Sequence, residues 1–183
     1  MKSVSVSLAP GAGRFVALGS HRGEQISVNA PKLPGEPRGP TGFSATELLL
    51  AAAGACSAWD VVEIVRKRRQ ELAALEVTVE GEQAEEPPWQ YERITLHFRI
   101  SGEGLRRGVL ERMIRLSCVR YCSVLATVKG VAHIEATLEL VDGAGTSTGR
   151  QPVRLAIEPG QPLEAEAEAE EVEDVGPPAT DED

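Results

Sequence analysis

Serines alternate with valine and leucine over residues 3–8, a period-two pattern that predicts a β-strand with one apolar face. The Pro-Gly-Ala-Gly turn at 10–13 and an apolar run at 14–18 extend it into a hairpin. A His-Arg-Gly turn at 21–23 leads to a short strand at 25–29. Residues 31–42, with prolines at 31, 34, 37 and 40 and glycines at 35, 39 and 42, predict an extended loop. Alternation returns at 75–81 and 93–100. The polar link between them at 82–91, containing Pro87-Pro88, makes these two strands a meander hairpin. Helical periodicity through Leu105, Val109, Leu110, Met113, Ile114 and Leu116 predicts a helix over 105–119. A shorter helix is expected from about Tyr121-Cys122-Ser123 to Val128, before Gly130, with a last alternating strand at 133–141.

One stretch follows a different pattern. Ser44 and Glu47 form a capping-box signature, and four basic residues, 66–69, close the segment where a helix dipole is negative. Between them Leu48 to Trp59 is apolar or small on every side, which predicts a long core helix buried all round. Its uninterrupted apolar run is shorter than the ~20 residues of a bilayer span, and Asp60 and Glu63 follow, so no membrane is expected. Ala51, Ala52, Ala53, Gly54 and Ala55 leave room for another backbone beside it. Strands, long helix, strands, helices and a final strand, in that order, point to an α+β fold rather than a doubly wound sheet.

Charge divides the chain. Of 28 acidic residues 12 lie from Asp142 onward, against two of the 19 basic ones, so residues 1–141 are close to neutral. The stretch 142–183 is rich in glycine, proline and glutamate and is expected to form a disordered acidic tail behind a folded domain at 1–141. The near-neutral body and the capping role of residues 66–69 argue against nucleic acid as a partner. The first residues show no apolar leader, and an odd cysteine count argues against a secreted disulfide scaffold. A reducing cytoplasm is therefore expected, where a cysteine pair points to catalysis or metal.

Cys56 lies in the long helix, and a buried cysteine is most often a small hydrophobe. Cys122 lies at the expected start of a helix, where amide N–H groups favour a thiolate. The two could react together only if the fold brings them within disulfide reach. Cys118, Cys122 and His133 lack the paired ligand units of a structural zinc site, and no metal or other cofactor is expected. Glu47 is accounted for by its cap. Nine helical residues, about 13.5 Å, separate it from Cys56, so it can serve only another subunit's thiol. Asp60 is nearer, but a carboxylate beside a thiol raises the thiol's pKa.

The segments SATELLLAAAGACSAWDVVEIV and LSCVRYCSVLATV, behind a Pro/Gly-rich loop and ahead of a final strand, resemble the OsmC/Ohr family of thiol-dependent hydroperoxide reductases. The resemblance covers residues 1–141 and is closer to the OsmC-like branch of the family. It implies an intertwined homodimer with antiparallel sheets wrapped around long central helices and active sites at the interface. By the same resemblance Cys56 is the peroxidatic thiolate and Cys122 the resolving thiol, with a peroxide as substrate and an external dithiol as reductant. An arginine bonded to a glutamate at the helix start supports the thiolate in the family. Arg14 is the better match, Arg22 the second, and Glu47 stands one residue from the usual place, which Thr46 holds. A non-catalytic module binding a small apolar or electrophilic ligand at the interface is the alternative.

Overall fold

The computed structural model describes residues 2–9, 14–19, 24–29, 42–68, 70 and 72–155. The turns expected at 10–13 and 21–23, the loop at 31–41, Arg22, Arg69 and the acidic run beyond residue 155 lie outside them. The described chain is an α+β structure with two sheets. Strands β1 (Val4–Ala9), β2 (Arg14–Gly19) and β3 (Gln25–Asn29) form an antiparallel three-stranded sheet. Gly42 then takes a φ of +131°, and a Cβ there would sit 2.6 Å from the Ser27 carbonyl oxygen, so glycine is required. Phe43 follows, bridging to Val28 and donating its N–H to the Ser27 carbonyl.

Helix α1 (Ala45–Lys67) begins as its capping box predicts. Ser44 Oγ accepts from the Glu47 N–H at 3.1 Å, and Glu47 Oε2 accepts from the Ser44 N–H at 2.7 Å. Among the described residues it is one helix that by length and composition could cross a bilayer, and it packs against residues 74–83 and 107–128. Its buried stripe is Ala53, Gly54, Ser57, Val61 and Val65. The expectation of burial all round is thereby corrected: within one chain α1 is covered along one side, and Leu49, Ala52 and Trp59 remain exposed. Gly54 sets the closeness of that contact, since a Cβ there would come within 2.8 Å of a Val79 methyl.

Strand β4 (Ala74–Gln83) packs on α1 and pairs antiparallel with β5 (Tyr91–Ser101). Helix α2 (Arg107–Leu116), a π turn (Ser117–Tyr121) and helix α3 (Ser123–Val128) then carry the chain over to β6 (His133–Val141). Strand β6 pairs with β5 in parallel, from Arg93–His133 to Ser101–Val141. The wholly antiparallel arrangement is thus corrected to a mixed four-stranded sheet. A helical crossover allows parallel pairing where a tight hairpin would not. Ile94, Leu96, Phe98 and Ile100 alternate into the core beneath Val61 and Leu110, while Arg93, His97 and Arg99 face outward beside carboxylates of β4 and β6.

The expected tail beginning at 142 is corrected at its start. Asp142 Oδ1 accepts N–H bonds from Ala144 and Thr146, closing a turn, and β7 (Gln151–Val153) pairs antiparallel with β6. Val153 and Leu155 are buried in the main core. A chain ended at Val141 should therefore lose about 3–6 kcal/mol of stability, an upper estimate from the burial of one valine and one leucine. Denaturant melts of the two lengths measure this. Gly54→Ala should lose about 1–3 kcal/mol in the same assay, because the added methyl meets Val79.

Candidate active site

Cys56 stands beside the buried stripe of α1, one residue before Ser57, and is half-buried. Its neighbourhood depends on a local irregularity in the other segment. After Leu116 the helix widens, so that the Cys122 N–H bonds the Ser117 carbonyl five residues back at 2.8 Å. Such π turns are rare and gather at functional sites. Cys122 then adopts an extended conformation (φ −67°, ψ 103°) as the N-cap of α3, its sulfur accepting from the Leu125 N–H at 3.5 Å.

The π turn is joined to α1 by Ser117. Its buried hydroxyl lies 3.2 Å from the Ser57 carbonyl oxygen and 3.0 Å from Asp60 Oδ2, its one proton shared between the two acceptors. That contact sets the two cysteine-bearing segments side by side. Cys56 Sγ is 3.9 Å from Ser123 Oγ and faces the Cys122 thiol and the N–H groups of Ser123 and Val124.

These surroundings separate the thiols by proton affinity. Burial pushes the Cys56 pKa up, but hydrogen bonds from Cys122, Val124 and Ser123 together outweigh it and hold it below the ordinary thiol value. Burial pushes Cys122 up and the adjacent Cys56 adds to this, while the Ser57 hydroxyl and the Leu125 N–H act against both; the net direction is upward. Cys118 is buried and pushed up to about 12, by burial first and then by Cys122 and Asp60. Asp60 is itself raised by burial, against the Ser117 hydrogen bond. Cys56 is thus the group most readily ionised, and Cys122 holds a proton beside it. This is the arrangement a nucleophile and a second-step thiol need.

Arg14 and Glu47 are not brought to these sulfurs by their own chain. Glu47 is exposed, occupied by its cap, and about 180° around α1 from Cys56. Hydrogen bonds from Ser44 lower its pKa. Arg14 lies on β2, its Nε buried without a hydrogen-bond partner. Among the described residues, no three His, Cys, Asp or Glu side chains cluster as metal ligands would, and His133 is instead 3.4 Å from Glu135. A shallow groove of about 270 Å³ and mixed polarity runs between α1 and β4, bounded by Phe43, Glu47, Leu50, Gly54, Val77 and Val79; the thiols do not line it.

Sequence reasoning passed over Ser57, Ser117 and Ser123. A signal existed for the first: Ser57 falls on the same helical stripe as Ala53, Gly54 and Val61, where a hydroxyl needs a reason. Ser117 had no such signal, because its partners come from α1.

An α+β domain in which a helix and a π turn juxtapose two thiols of unequal proton affinity is the class that fold and site define. The chain belongs to the family described as OsmC-like protein, which it matches over residues 38–139. It is 39% identical over 98 residues to Protein YhfA of Escherichia coli (strain K12), an overlap of 54% of this chain and 73% of that one. Among solved structures, a hypothetical protein from Aquifex aeolicus VF5 superposes with a TM-score of 0.65 at 30% identity, covering 78% of this chain and 97% of that one. An organic hydroperoxide resistance protein OsmC from Legionella pneumophila shares the fold at 12% identity, with a TM-score of 0.54 over 75% of this chain and 96% of its own.

Thiol reactivity should follow these environments. Carbamidomethylation of native protein should modify Cys56 with a midpoint below the ordinary thiol value, and Ser123→Ala should move that midpoint up. Cys118 should react only after denaturation. Peptide mass mapping across pH checks all three.

Proposed function

We propose that this protein is a thiol-dependent hydroperoxide reductase acting through Cys56 and Cys122. The observation that carries the reading is the meeting of these two sulfurs, 66 residues apart in sequence, with Cys56 the more acidic. The Cys56 thiolate attacks the peroxide O–O bond, an oxygen passes to sulfur as a sulfenic acid, and the alcohol leaves after taking a proton. Cys122 then attacks the sulfenic sulfur; the S–S bond forms, the S–O bond breaks, and water is released. An external dithiol returns the disulfide to two thiols by exchange. The fold shared with the Legionella pneumophila hydroperoxide resistance protein makes organic hydroperoxides the first substrates to test, with hydrogen peroxide beside them. The setting is oxidative stress defence in the cytoplasm.

The active unit is a homodimer on this reading. Val4, Val6 and Leu8, 60–66% exposed, share with Phe15 and Ile26 one apolar face of the β1–β3 sheet. The exposed small and aromatic side of α1, including Ala52 and Trp59, is the complementary surface that a second copy supplies. In such a pair Arg14 and Glu47 contribute to the thiol of the other subunit.

The groove between α1 and β4 supports a second reading, a binding module for a small apolar or electrophilic ligand. It predicts stoichiometric binding that survives Cys56→Ser. The hydroperoxidase reading predicts that one equivalent of cumene hydroperoxide gives a Cys56–Cys122 disulfide by mass spectrometry, and that Cys56→Ser abolishes dithiol-dependent peroxide consumption. Turnover that persists in Cys56→Ser would overturn it. Light scattering should give about twice the 19.5 kDa chain mass, and a charge at Val6 should lower it to that of the monomer.

A further inference from the structure

Serine is favoured at a helix N-cap, yet Ser123 is not the cap of its helix. Cys122 holds that place, its sulfur accepting from the Leu125 N–H, and Ser123 follows as the first residue of α3. Thr127 Oγ1 donates to the Ser123 carbonyl at 2.8 Å, which fixes the backbone there. The Ser123 side chain is exposed, and an exposed hydroxyl needs no partner but water. Among the described residues it has one all the same. The Cys56 sulfur, 67 positions away in sequence, lies 3.9 Å from Ser123 Oγ. A thiolate carries no proton, so once Cys56 ionises the hydroxyl is the donor of this pair. Its exposure leaves the pair open to a substrate arriving from solvent.

We propose that the Ser123 hydroxyl is a catalytic residue of peroxide cleavage, donating its hydrogen bond to the oxygen that leaves as the O–O bond breaks. The inference rests on the hydroperoxidase reading and assigns a residue to its first step. There a lone pair of the Cys56 thiolate forms the S–O bond with the terminal peroxide oxygen. The O–O bonding pair departs with the other oxygen as an alkoxide, and a proton from water makes it the alcohol. The sulfur is oxidised by two electrons and the peroxide reduced by two, with no further oxidant. The 3.9 Å separation is wider than an O–H···O bond of about 2.7–2.8 Å, and a peroxide oxygen meeting the sulfur from this open side comes within reach of the hydroxyl. The hydroxyl then exchanges a long bond to a diffuse thiolate for a short one to a concentrated oxyanion. That exchange favours the transition state over the ground state, which is what lowers a barrier.

The test separates this role from thiolate stabilisation and from packing. Ser123 is exposed, so Ser123→Ala removes the donor with little loss of buried contact. The pH is set above the Cys56 midpoint of each protein and below that of Cys122, and single-turnover loss of thiolate absorbance measures the first step. tert-Butyl hydroperoxide, whose alkoxide is a poor leaving group, should react roughly tenfold more slowly with Ser123→Ala, the loss of one oxyanion donor in an exposed setting. Peracetic acid, which releases a carboxylate, should lose roughly twofold or less. Iodoacetamide has no oxygen to expel. It should alkylate Cys56 of the variant as fast as wild type or faster, because a less stabilised thiolate is more nucleophilic. Ser123→Thr keeps the hydroxyl and should stay within roughly threefold of wild type with all three reagents. Equal losses with both peroxides, slowed alkylation, or peroxide rates at or above wild type in Ser123→Ala would overturn the assignment. Wild type inert to both peroxides overturns the hydroperoxidase reading, and this inference with it. Wild type that reacts beside a variant without leaving-group dependence overturns the Ser123 role alone.

Discussion

The Ser117 hydroxyl, lying against the Ser57 carbonyl and the Asp60 carboxylate, is the contact on which the site depends. Cys56 and Cys122 belong to segments with no local reason to meet. Disulfide chemistry tolerates Cα separations of only about 4.4–6.8 Å, so a shift of one helical turn between the segments would separate them. The π turn supplies the extra residue that rotates Cys122 out of the α2 register and lets it cap α3. Along the same buried stripe of α1, Gly54 lets β4 close in without a Cβ. The helix is thus held by a strand and a turn, each through a small residue.

Chemical identity does not decide which thiol reacts. Three cysteines lie within one cluster, and the differences among them come from the groups around each. Cys56, half-buried and given N–H and hydroxyl donors by the start of α3, loses its proton most readily. Cys118 is fully buried, near Asp60, and keeps its proton up to about 12. Cys122 stands between these limits, buried but with the Leu125 N–H directed at its sulfur. Such a gradient orders a two-step thiol reaction, because the most readily ionised thiol attacks first.

One chain leaves surface that a folded protein ordinarily covers. The β1–β3 sheet presents a continuous apolar face, α1 an apolar side, and Arg14 a buried nitrogen with nothing to bond. The open side of α1 faces away from β4, and the second copy proposed above would cover both apolar faces. The outward face of the four-stranded sheet is different. Arg93 with Glu82 and Glu135, and Arg99 with Glu139, pair in rows across the strands, as suits a solvated surface.

Sequence alone determined what depends on neighbours within a turn or a strand. The capping box of α1, the alternation in β1, β4, β5 and β6, and the α+β class were legible because each is a local pattern of period or cap. Cys56 and Cys122 stood out through the residues flanking them, but their meeting was not legible. Tertiary structure decided the rest. Whether β6 pairs with β5 in parallel, whether Val153 and Leu155 find a core to enter, and which side of α1 stays open are settled by long-range packing. The bond from the Ser117 hydroxyl to the Ser57 carbonyl was likewise invisible, since the two residues lie 60 positions apart along the chain. Proton affinity follows the same logic: a thiol's desolvation and its donors come from groups that only the folded chain assembles.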